Sequence, residues 1–275
     1  MSYPIGPFRR VPPGGGGRIS PFLPLTFPGL ELYLDSRLGL SSVTDGSNVS
    51  LWPDQSGHSP GQDAITNLLD PTMGRSGVNL TPKGKPSVVF KVSNDTQGLQ
   101  CRTAKSWTPV NTNGYTFYYY GLTLAKSLVG YSFINQDVFA FDAANFHAFH
   151  LQDSGGAPRS YGFIDDAGGG NPHRFGTEAS IDNKWALQTL VLPPPNNNTV
   201  PCQYFVNAVQ IAQVSGPANY VSTQQLTSGY ALGNSTGFNI AFRGNIGAYF
   251  IFSRTHTAAQ IALFTLWAGI FFGLS

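Results

Sequence analysis

Charged side chains are scarce in this chain of 275 residues, in which Asp, Glu, Lys and Arg together make up only 11%. A typical soluble domain is about 25% charged, so we expect a neutral surface built from Asn, Gln, Ser and Thr. Such a surface suits a protein that is packed in an assembly, and it also suits an extracellular protein. The formal net charge is +2 and no basic stripe interleaved with aromatic residues occurs, so we expect no nucleic-acid partner.

Cysteine and glutamate are also rare. Two cysteines, Cys101 and Cys202, cannot form a zinc site made of cysteines, and we interpret them as buried free thiols, with a bridge between two strands as the alternative. The only glutamates are Glu31 and Glu178. No H-E-x-x-H, G-x-S-x-G or Walker loop occurs, so the sequence shows none of the common catalytic motifs. We therefore predict a protein that is not an enzyme and has neither a resident metal nor a cofactor.

Apolar runs long enough to cross a bilayer are missing as well. The most apolar segment, 261–274, has about 14 residues, whereas a membrane span needs roughly 18–20. Helical periodicity extends over 257–272, which predicts a buried closing helix with one apolar stripe at Ala258, Ile261, Ala262 and Leu266. We expect the helix to cover an apolar sheet with the side chains of Leu263, Phe264, Trp267 and Phe271.

The composition of residues 1–28 predicts an extended arm. We expect residues 29–275 to form one domain. The arm carries seven prolines and the run Gly14–Gly17, which resist regular structure and fit no signal-peptide core, so we expect no leader. An ordered arm needs a partner surface to offset its lost entropy. We expect it to anchor the chain to a neighbouring protein through the apolar side chains Phe8, Phe22 and Leu23 and the cations Arg9 and Arg10.

From Leu30 onward, short strand patterns recur between turns rich in Gly, Asn and Pro. Most alternate large apolar with small or polar residues, as strands with one buried face do. The patterns cover 30–35, 85–90, 115–120, 138–142, 146–151, 185–192, 202–211, 230–233 and 245–252. Many one-sided strands and one terminal helix predict an all-β fold, a two-sheet antiparallel sandwich with a short C-terminal helix.

Several motifs in order resemble the concanavalin A-like (laminin G-like) jelly-roll domains of bacteriophage virion proteins and bacterial surface proteins. The resemblance covers about residues 30–275. It is carried by L-E-L-Y-L-D at 30–35, V-S-L-W-P-D-Q-S-G-H at 49–58, the strand 185–192, F-V-N at 205–207, L-G-N at 232–234, F-R-G-N-I at 242–246 and F-G-L at 272–274. It implies a jelly-roll sandwich that binds glycans or builds particles more often than it catalyses. The E-x-D-x-x-E motif of the family's laminarinase-like hydrolases is absent.

We predict that most residues of these motifs have structural roles and do not form a binding or catalytic site. We interpret Trp52 as a core side chain, because aromatic burial dominates the cores of sandwiches. We predict a turn at Asp54, Gln55, Ser56 and Gly57, since Asp and Ser side chains form hydrogen bonds with nearby backbone amides and Gly accepts positive φ. His147 and His150 are spaced for two ligands on a helix, but their apolar neighbours predict a strand.

The loop 161–174 is the best candidate for a binding site. It gathers an aromatic ring, two carboxylates, an amide, an imidazole and a guanidinium, from Tyr161, Asp165, Asp166, Asn171, His173 and Arg174. Sugar sites combine ring contacts with polar contacts to hydroxyl groups, and the carboxylates could also hold a calcium ion. The structural alternative is a surface loop without a ligand.

The leading hypothesis is a non-enzymatic bacteriophage virion protein, a head-decoration, fibre or tail-associated subunit located in the particle after assembly in the host cytoplasm. Its expected partners are other virion proteins, copies of itself and a host-surface glycan, and a trimer is expected by analogy with three-fold appendages. The alternative is an extracellular carbohydrate-binding module secreted by a bacterium. A third class is an endoglycanase that lacks its usual carboxylate motif.

Overall fold

The computed structural model describes residues 19–58, 63–66, 71–90, 99–100, 113–123, 135–141, 146–153, 158–160, 163–164, 173–174, 177–178, 184–192, 194, 202–214, 230–232, 234–235, 240–241 and 244–275. Within them, short 3₁₀ helices cover Leu23–Thr26 and Gly77–Asn79. The α-helix α1 covers Ala258–Phe271, in agreement with the predicted closing helix. Cys101 and the arm residues Phe8, Arg9 and Arg10 lie outside the described residues.

The strands of the described residues are numbered in chain order. They are β1 (Leu30–Asp35), β2 (Leu51–Trp52), β3 (Ala64–Thr66), β4 (Thr72–Gly74), β5 (Ser87–Phe90), β6 (Leu99–Gln100), β7 (Tyr115–Thr123), β8 (Asn135–Phe141), β9 (Phe146–Asp153), β10 (Pro158–Ser160), β11 (Phe163–Ile164), β12 (His173–Arg174), β13 (Thr177–Glu178), β14 (Trp185–Leu192), β15 (Cys202–Val206), β16 (Val209–Val214), β17 (Tyr230–Leu232), β18 (Asn234–Ser235), β19 (Ile240–Ala241) and β20 (Gly244–Phe252).

Two eight-stranded sheets contain most of these strands. The first has the order β16-β15-β14-β7-β20-β5-β4, with β1 also paired to β20, and the second has the order β13-β10-β9-β8-β17-β6-β3-β2. In the first sheet, β20 pairs with β7 on one side, and on its other side with β1 at one end and β5 at the other. Every described strand pair of both sheets is antiparallel. The predicted all-β, two-sheet antiparallel sandwich is confirmed.

The predicted strand at 202–211 is instead a hairpin, because it turns back on itself between β15 and β16. Asn207 and Ala208 connect the two strands with φ of 49° and 65°, the left-handed values of a tight hairpin turn. The Asn207 side chain also accepts a hydrogen bond from the backbone N–H of Leu187, which joins this turn to β14. The F-V-N motif at 205–207 therefore covers the end of β15 and the first residue of the turn.

The first sheet is buried on both faces. Residues that alternate along β7, β14 and β20 contribute Tyr118, Tyr120, Leu187, Phe250 and Phe252 to one aromatic cluster. Their neighbours on the opposite face, among them Leu32, Phe117, Tyr119, Tyr249 and Ile251, are buried too. A sheet buried on both faces needs a layer on each side. α1 contributes to the layer over the aromatic cluster, and in a sandwich the opposite face packs against the second sheet.

A capping box fixes the start of α1. The Thr257 side chain accepts a hydrogen bond from the N–H of Gln260, and the Gln260 side chain accepts one from the N–H of Thr257. This arrangement satisfies two of the backbone donors that a helix start leaves unpaired. The helix then packs Phe264 against Tyr118, with ring centroids 4.0 Å apart, and against Phe250 at 4.9 Å.

A buried ion pair lies against the aromatic residues at the end of α1. The guanidinium of Arg37 donates to both carboxylate oxygens of Asp35, and the hydroxyl of Tyr33 donates to the same carboxylate at 2.8 Å. The Arg37 guanidinium also lies 4.3 Å from the ring centroid of Phe272 and 5.2 Å from that of Trp267. Cation–π contact adds to the ion pair here, so β1 and the C-terminal end of α1 are joined by polar and aromatic contacts together.

Candidate functional site

The predicted sugar-binding loop corresponds to a two-stranded ribbon. β11 and β12 pair antiparallel, with Phe163 opposite Arg174 and Ile164 opposite His173, so residues 165–172 connect two adjacent strands. β11 lies next to β9 of the second sheet. His173 and Arg174 are therefore placed on β12, whereas Tyr161, Asp165, Asp166 and Asn171 lie outside the described residues.

A second ribbon lies in the same part of the fold. β18 and β19 pair antiparallel, with Asn234 opposite Ala241 and Ser235 opposite Ile240, and both strands lie next to β8. Because β8 and β9 are neighbours in the second sheet, both ribbons are associated with the same strand pair. The second sheet therefore carries the additional hairpins, whereas the first sheet carries α1.

The turn that follows Trp52 is structural, as predicted. Trp52 is fully buried. The Asp54 carboxylate accepts hydrogen bonds from the N–H of Tyr33 at 3.0 Å and from the N–H of Ser56 at 2.9 Å. Gly57 has a φ of 84°, the left-handed region that favours glycine. Asp54 thus holds the loop against β1, and its carboxylate oxygens are occupied by this structural role.

A half-exposed polar cluster lies at the start of β1. The imidazole Nε2 of His58 is 3.8 Å from a carboxylate oxygen of Glu31 and 2.8 Å from the carbonyl oxygen of Leu30. The hydroxyl of Ser253 donates to the other Glu31 oxygen at 2.8 Å. These contacts hold the loop, β1 and the end of β20 together. No local sequence pattern predicts them, because the residues are far apart in the chain.

The carboxylates whose side chains the structure describes all have hydrogen-bond partners. Beyond Asp35, Asp54 and Glu31, Asp45 accepts from the N–H of Arg75 and the hydroxyl of Ser76, and Asp63 accepts from the N–H of Asp54. The hydrogen bonds to Asp45 hold the pKa of its carboxyl below the usual value. Hydrolysis of a glycoside needs two carboxyl groups that face each other across the scissile bond. Within the described part of the chain, these carboxylates instead brace loops.

One histidine, His256, is buried among aromatic side chains at the end of the first sheet. His256 is 4% exposed, and its Nδ1 lies 2.7 Å from the hydroxyl of Tyr118. The rings of Phe252 and Phe27 lie 4.5 and 5.3 Å from the imidazole. Burial, and to a smaller extent the charge of Arg254, lower the pKa of His256 to about 4. The neutral imidazole therefore belongs to the core, where it lies just before the start of α1.

The described residues contain neither a candidate metal cluster nor a candidate membrane-spanning helix. No group of three or more His, Cys, Asp or Glu side chains there could hold a metal ion. No described helix is both long enough and apolar enough to cross a membrane. His147 and His150 both lie on β9, as the predicted strand requires.

Comparisons with known proteins identify relatives only at the level of the fold. No protein-family model matches the sequence, and no curated protein sequence matches it. Among solved structures, the binding domain of botulinum neurotoxin DC in complex with rat synaptotagmin II matches 86% of this chain, with a TM-score of 0.56 and 8% identity. The same binding domain in complex with SialylT matches 86%, with a TM-score of 0.54 and 10% identity.

A Trypanosoma rangeli sialidase matches 89% of this chain, with a TM-score of 0.54 and 14% identity. The chain spans about half the length of the neurotoxin binding domains, at 51% of each, and 33% of the sialidase. At these identities the comparisons establish a shared β-sandwich fold. They do not extend to a matched site, since the fold alone does not determine function.

Proposed function

We propose that this protein is a non-catalytic, glycan-recognising β-sandwich of the concanavalin A-like class and that it serves as a structural subunit of a bacteriophage particle. The observation that carries the glycan part is the fold likeness over 86% of the chain to a binding domain solved in complex with SialylT. The antiparallel two-sheet architecture with a closing helix supports the concanavalin A-like class.

The proposed site is the ribbon β11–β12 with the residues around it. Tyr161 would stack on a sugar ring, and Asp165, Asp166 and Asn171 would bond to hydroxyl groups. Arg174 would bind a carboxylate or a pair of hydroxyls through its planar guanidinium, and His173 would add a hydrogen-bond donor or acceptor. Sites of this type use a few placed polar groups on a scaffold formed by the sheets, and the position of β11 beside β9 supports that arrangement.

Titration of the purified chain with a sialylated oligosaccharide and with its neutral parent tests the glycan proposal. We expect binding that Arg174→Ala weakens by roughly ten- to a hundredfold, because a charge-assisted contact is worth about 1.5–3 kcal/mol. Lys184→Ala is the matched control, since it removes an exposed cation next to β14 and should bind as the unmodified chain does. Repeating the titration with a chelator shows whether Asp165 and Asp166 bind the sugar through calcium. Equal loss in both variants would contradict the assignment of the site.

The virion part of the proposal is supported by the neutral composition and by the arm. Where the arm meets the described fold, Phe22 is 54% exposed, whereas Leu23 packs against the aromatic cluster. Phe22 is thus available to a neighbouring protein, and Leu23 fastens this end of the arm to its own domain. Aromatic side chains are enriched at protein–protein interfaces, so the exposed Phe22 supports the docking role.

Deletion of residues 1–18 tests the virion proposal, because it removes Phe8, Arg9 and Arg10 and keeps the described residues. We expect the shortened chain to fold with an unchanged melting temperature and to be lost from purified particles. Incorporation of the shortened chain at full occupancy would contradict the anchoring role. If the protein is absent from particles altogether and is instead found in the culture medium, the secreted carbohydrate-binding module becomes the better account.

A further inference from the structure

One corner of the second sheet brings polar and charged residues together on a single face. A straight row across β8, β9, β10 and β13 consists of Asn135, Gln152, Arg159 and Glu178. Asp137 and His150 are directly opposite each other in the next row, two residues away along β8 and β9. Residues that pair across antiparallel strands, and residues two apart along a strand, share a face of the sheet. These six residues form what we call the polar corner.

A structural role alone does not account for the polar corner. Inward-facing charges on an edge strand protect it against unwanted pairing, which would explain Glu178 on the edge strand β13. Asp137 and His150, however, lie on β8 and β9, which are internal strands of the second sheet. The chain as a whole is only 11% charged. Four ionisable residues on one face of four adjacent strands therefore indicate a site that meets a polar ligand.

The polar corner lies on the inner face of the second sheet, close to its rim. Successive strand pairings through β3, β6, β17 and β8 place it on the same face as Trp52. Trp52 is fully buried, whereas Leu51 on the opposite face is 46% exposed. β8 begins at Asn135 and β9 ends at Asp153, so the outer row lies where these strands end. A ligand can therefore reach this row from the end of the sandwich.

The inner face of the first sheet is also polar on this side of the sandwich. The Tyr204 hydroxyl donates to the Gln188 side chain at 2.6 Å, and both residues are buried. The segment that follows β2 lies against β1, since the N–H of Gln55 donates to the carbonyl oxygen of Tyr33. Because stacked sheets keep their strands nearly aligned, the two strand orders place β8, β9 and β10 on the same side as β14, β15 and β16. Hydrogen-bonding residues therefore come from both layers here.

The chemistry of the polar corner fits an uncharged sugar. Arg159 is directly opposite Glu178, and His150 is directly opposite Asp137, so each acidic residue has a basic residue beside it. Carboxylates accept hydrogen bonds, a guanidinium donates them and the two amides do both, which matches hydroxyl groups that donate and accept. Phe139 is the next residue on the same face of β8, and aromatic residues beside a few polar groups are typical of ligand sites.

We infer that the polar corner, where Asp137 and His150 lie beside Gln152 and Arg159, binds one uncharged sugar unit of a glycan without cleaving it. Three strand spacings separate the backbones of Asp137 and Glu178, about 14 Å at 4.7–4.9 Å each. Glycosidases hold their two carboxyl groups only about 5–10 Å apart. The inference rests on the proposed glycan recognition and adds to it a second group of residues, separate from the ribbon β11–β12.

The test is calorimetric titration of the full chain with a panel of neutral oligosaccharides, in which lactose and sialyllactose form a matched pair. We expect His150→Gln to weaken the binding of neutral sugars by roughly three- to tenfold, the loss typical of one hydrogen bond. His147→Gln is the matched control, because it makes the same change on the opposite face of β9, and it should bind as the unmodified chain does. Arg174→Ala, on the ribbon, should weaken sialyllactose more than lactose.

A second pair of variants serves if the melting temperature shows that His150→Gln unfolds. Asp137→Asn should weaken the binding of neutral sugars, whereas Asp153→Asn, on the opposite face of the same corner, should not. Equal effects within a pair, neutral binding that neither Asp137→Asn nor His150→Gln weakens, or no binding of any neutral sugar would overturn the inference. Sialyllactose binding that depends on Arg174 alone would overturn the inference and leave the proposed function standing, whereas no binding of any glycan would remove both.

Discussion

The two faces of α1 have nearly the same composition but opposite environments. On the inner face, Phe264 and Trp267 are completely buried against the first sheet. On the outer face, Leu266 and Ile270 are about half exposed. The difference is therefore produced by the sheet, which covers one side of the helix and not the other. It indicates that the inner face stabilises the fold, and that the apolar character of the outer face needs a separate explanation.

Substitution of Phe264 by Ala, on the inner face of α1, should cause the largest loss in the free energy of unfolding. The ring stacks on Tyr118 and contacts Phe250 edge to face, and truncating a buried Phe to Ala typically costs about 3–5 kcal/mol. Leu266→Ala on the outer face is the matched control and should change the free energy of unfolding by no more than about 0.5 kcal/mol. Urea unfolding of both variants, at a concentration where the chain is monomeric, provides the comparison. Equal losses would mean that both faces stabilise the monomer.

The sequence predicted the helix but could not identify its buried stripe. Of the stripe predicted from periodicity, only Ile261 is buried, whereas Ala258, Ala262 and Leu266 are exposed. The prediction that Leu263 covers the sheet is wrong, because Leu263 is 39% exposed. When a helix is apolar on every side, its sequence pattern does not show which face is buried. Only the contacts made by the sheet decide which residues are buried.

Features that depend on neighbouring residues were predictable from the sequence, whereas features that depend on residues far apart in the chain were not. The turn at Asp54 was predictable because an Asp side chain bonds to amides two residues away, and Trp52 was predictable from the burial of aromatic residues. The role of His256 was not predictable, since its burial depends on Tyr118 and Phe27, which are distant in the chain. The candidate sugar site was identified by composition alone and was interpreted as a loop, whereas the structure places the paired strands β11 and β12 within it.

Protonation of His256 at acid pH should weaken the contact between the inner face of α1 and the first sheet. The folded protein holds the pKa of this imidazole at about 4, below the ordinary 6.5, so the unfolded chain binds the proton more readily. The stabilisation is complete above pH 6.5 and is lost as the pH falls towards 4, with a total of about 3 kcal/mol at 1.36 kcal/mol per pKa unit. The groups facing the imidazole are the Tyr118 hydroxyl and the charge of Arg254.

Variants at His256 and at His58 check this pH dependence. His256→Gln should remove the component of the unfolding free energy that changes between pH 6.5 and pH 4. His58→Gln, at the exposed histidine beside Glu31, should retain that component. A pH profile of His256→Gln that runs parallel to that of the unmodified chain would show that the imidazole is not the responsible group.

Alanine substitutions at Gly247, in β20, and at Gly269, in α1, should change the stability of the protein in opposite directions. A Cβ at Gly247 would lie 2.7 Å from the ring of Tyr120, beneath the end of α1, and overpacking of this kind costs about 1–3 kcal/mol. A Cβ at Gly269, within α1, would meet Leu274 at 3.6 Å, which is ordinary contact. Gly269→Ala should therefore stabilise the protein by about 0.5–1 kcal/mol. Thermal melts of the two variants give the signs, and destabilisation by both would mean that α1 packs more tightly than described.

The central claim is that this sandwich recognises glycans without cleaving them. The most direct measurement is to incubate the unmodified chain with a panel of sialylated and neutral oligosaccharides, and to record in the same samples both the bound fraction and any released sugar. The account predicts saturable binding of at least one glycan, with every oligosaccharide recovered intact. Release of free sugar at a rate proportional to the protein concentration, or the absence of binding to the whole panel, would contradict it.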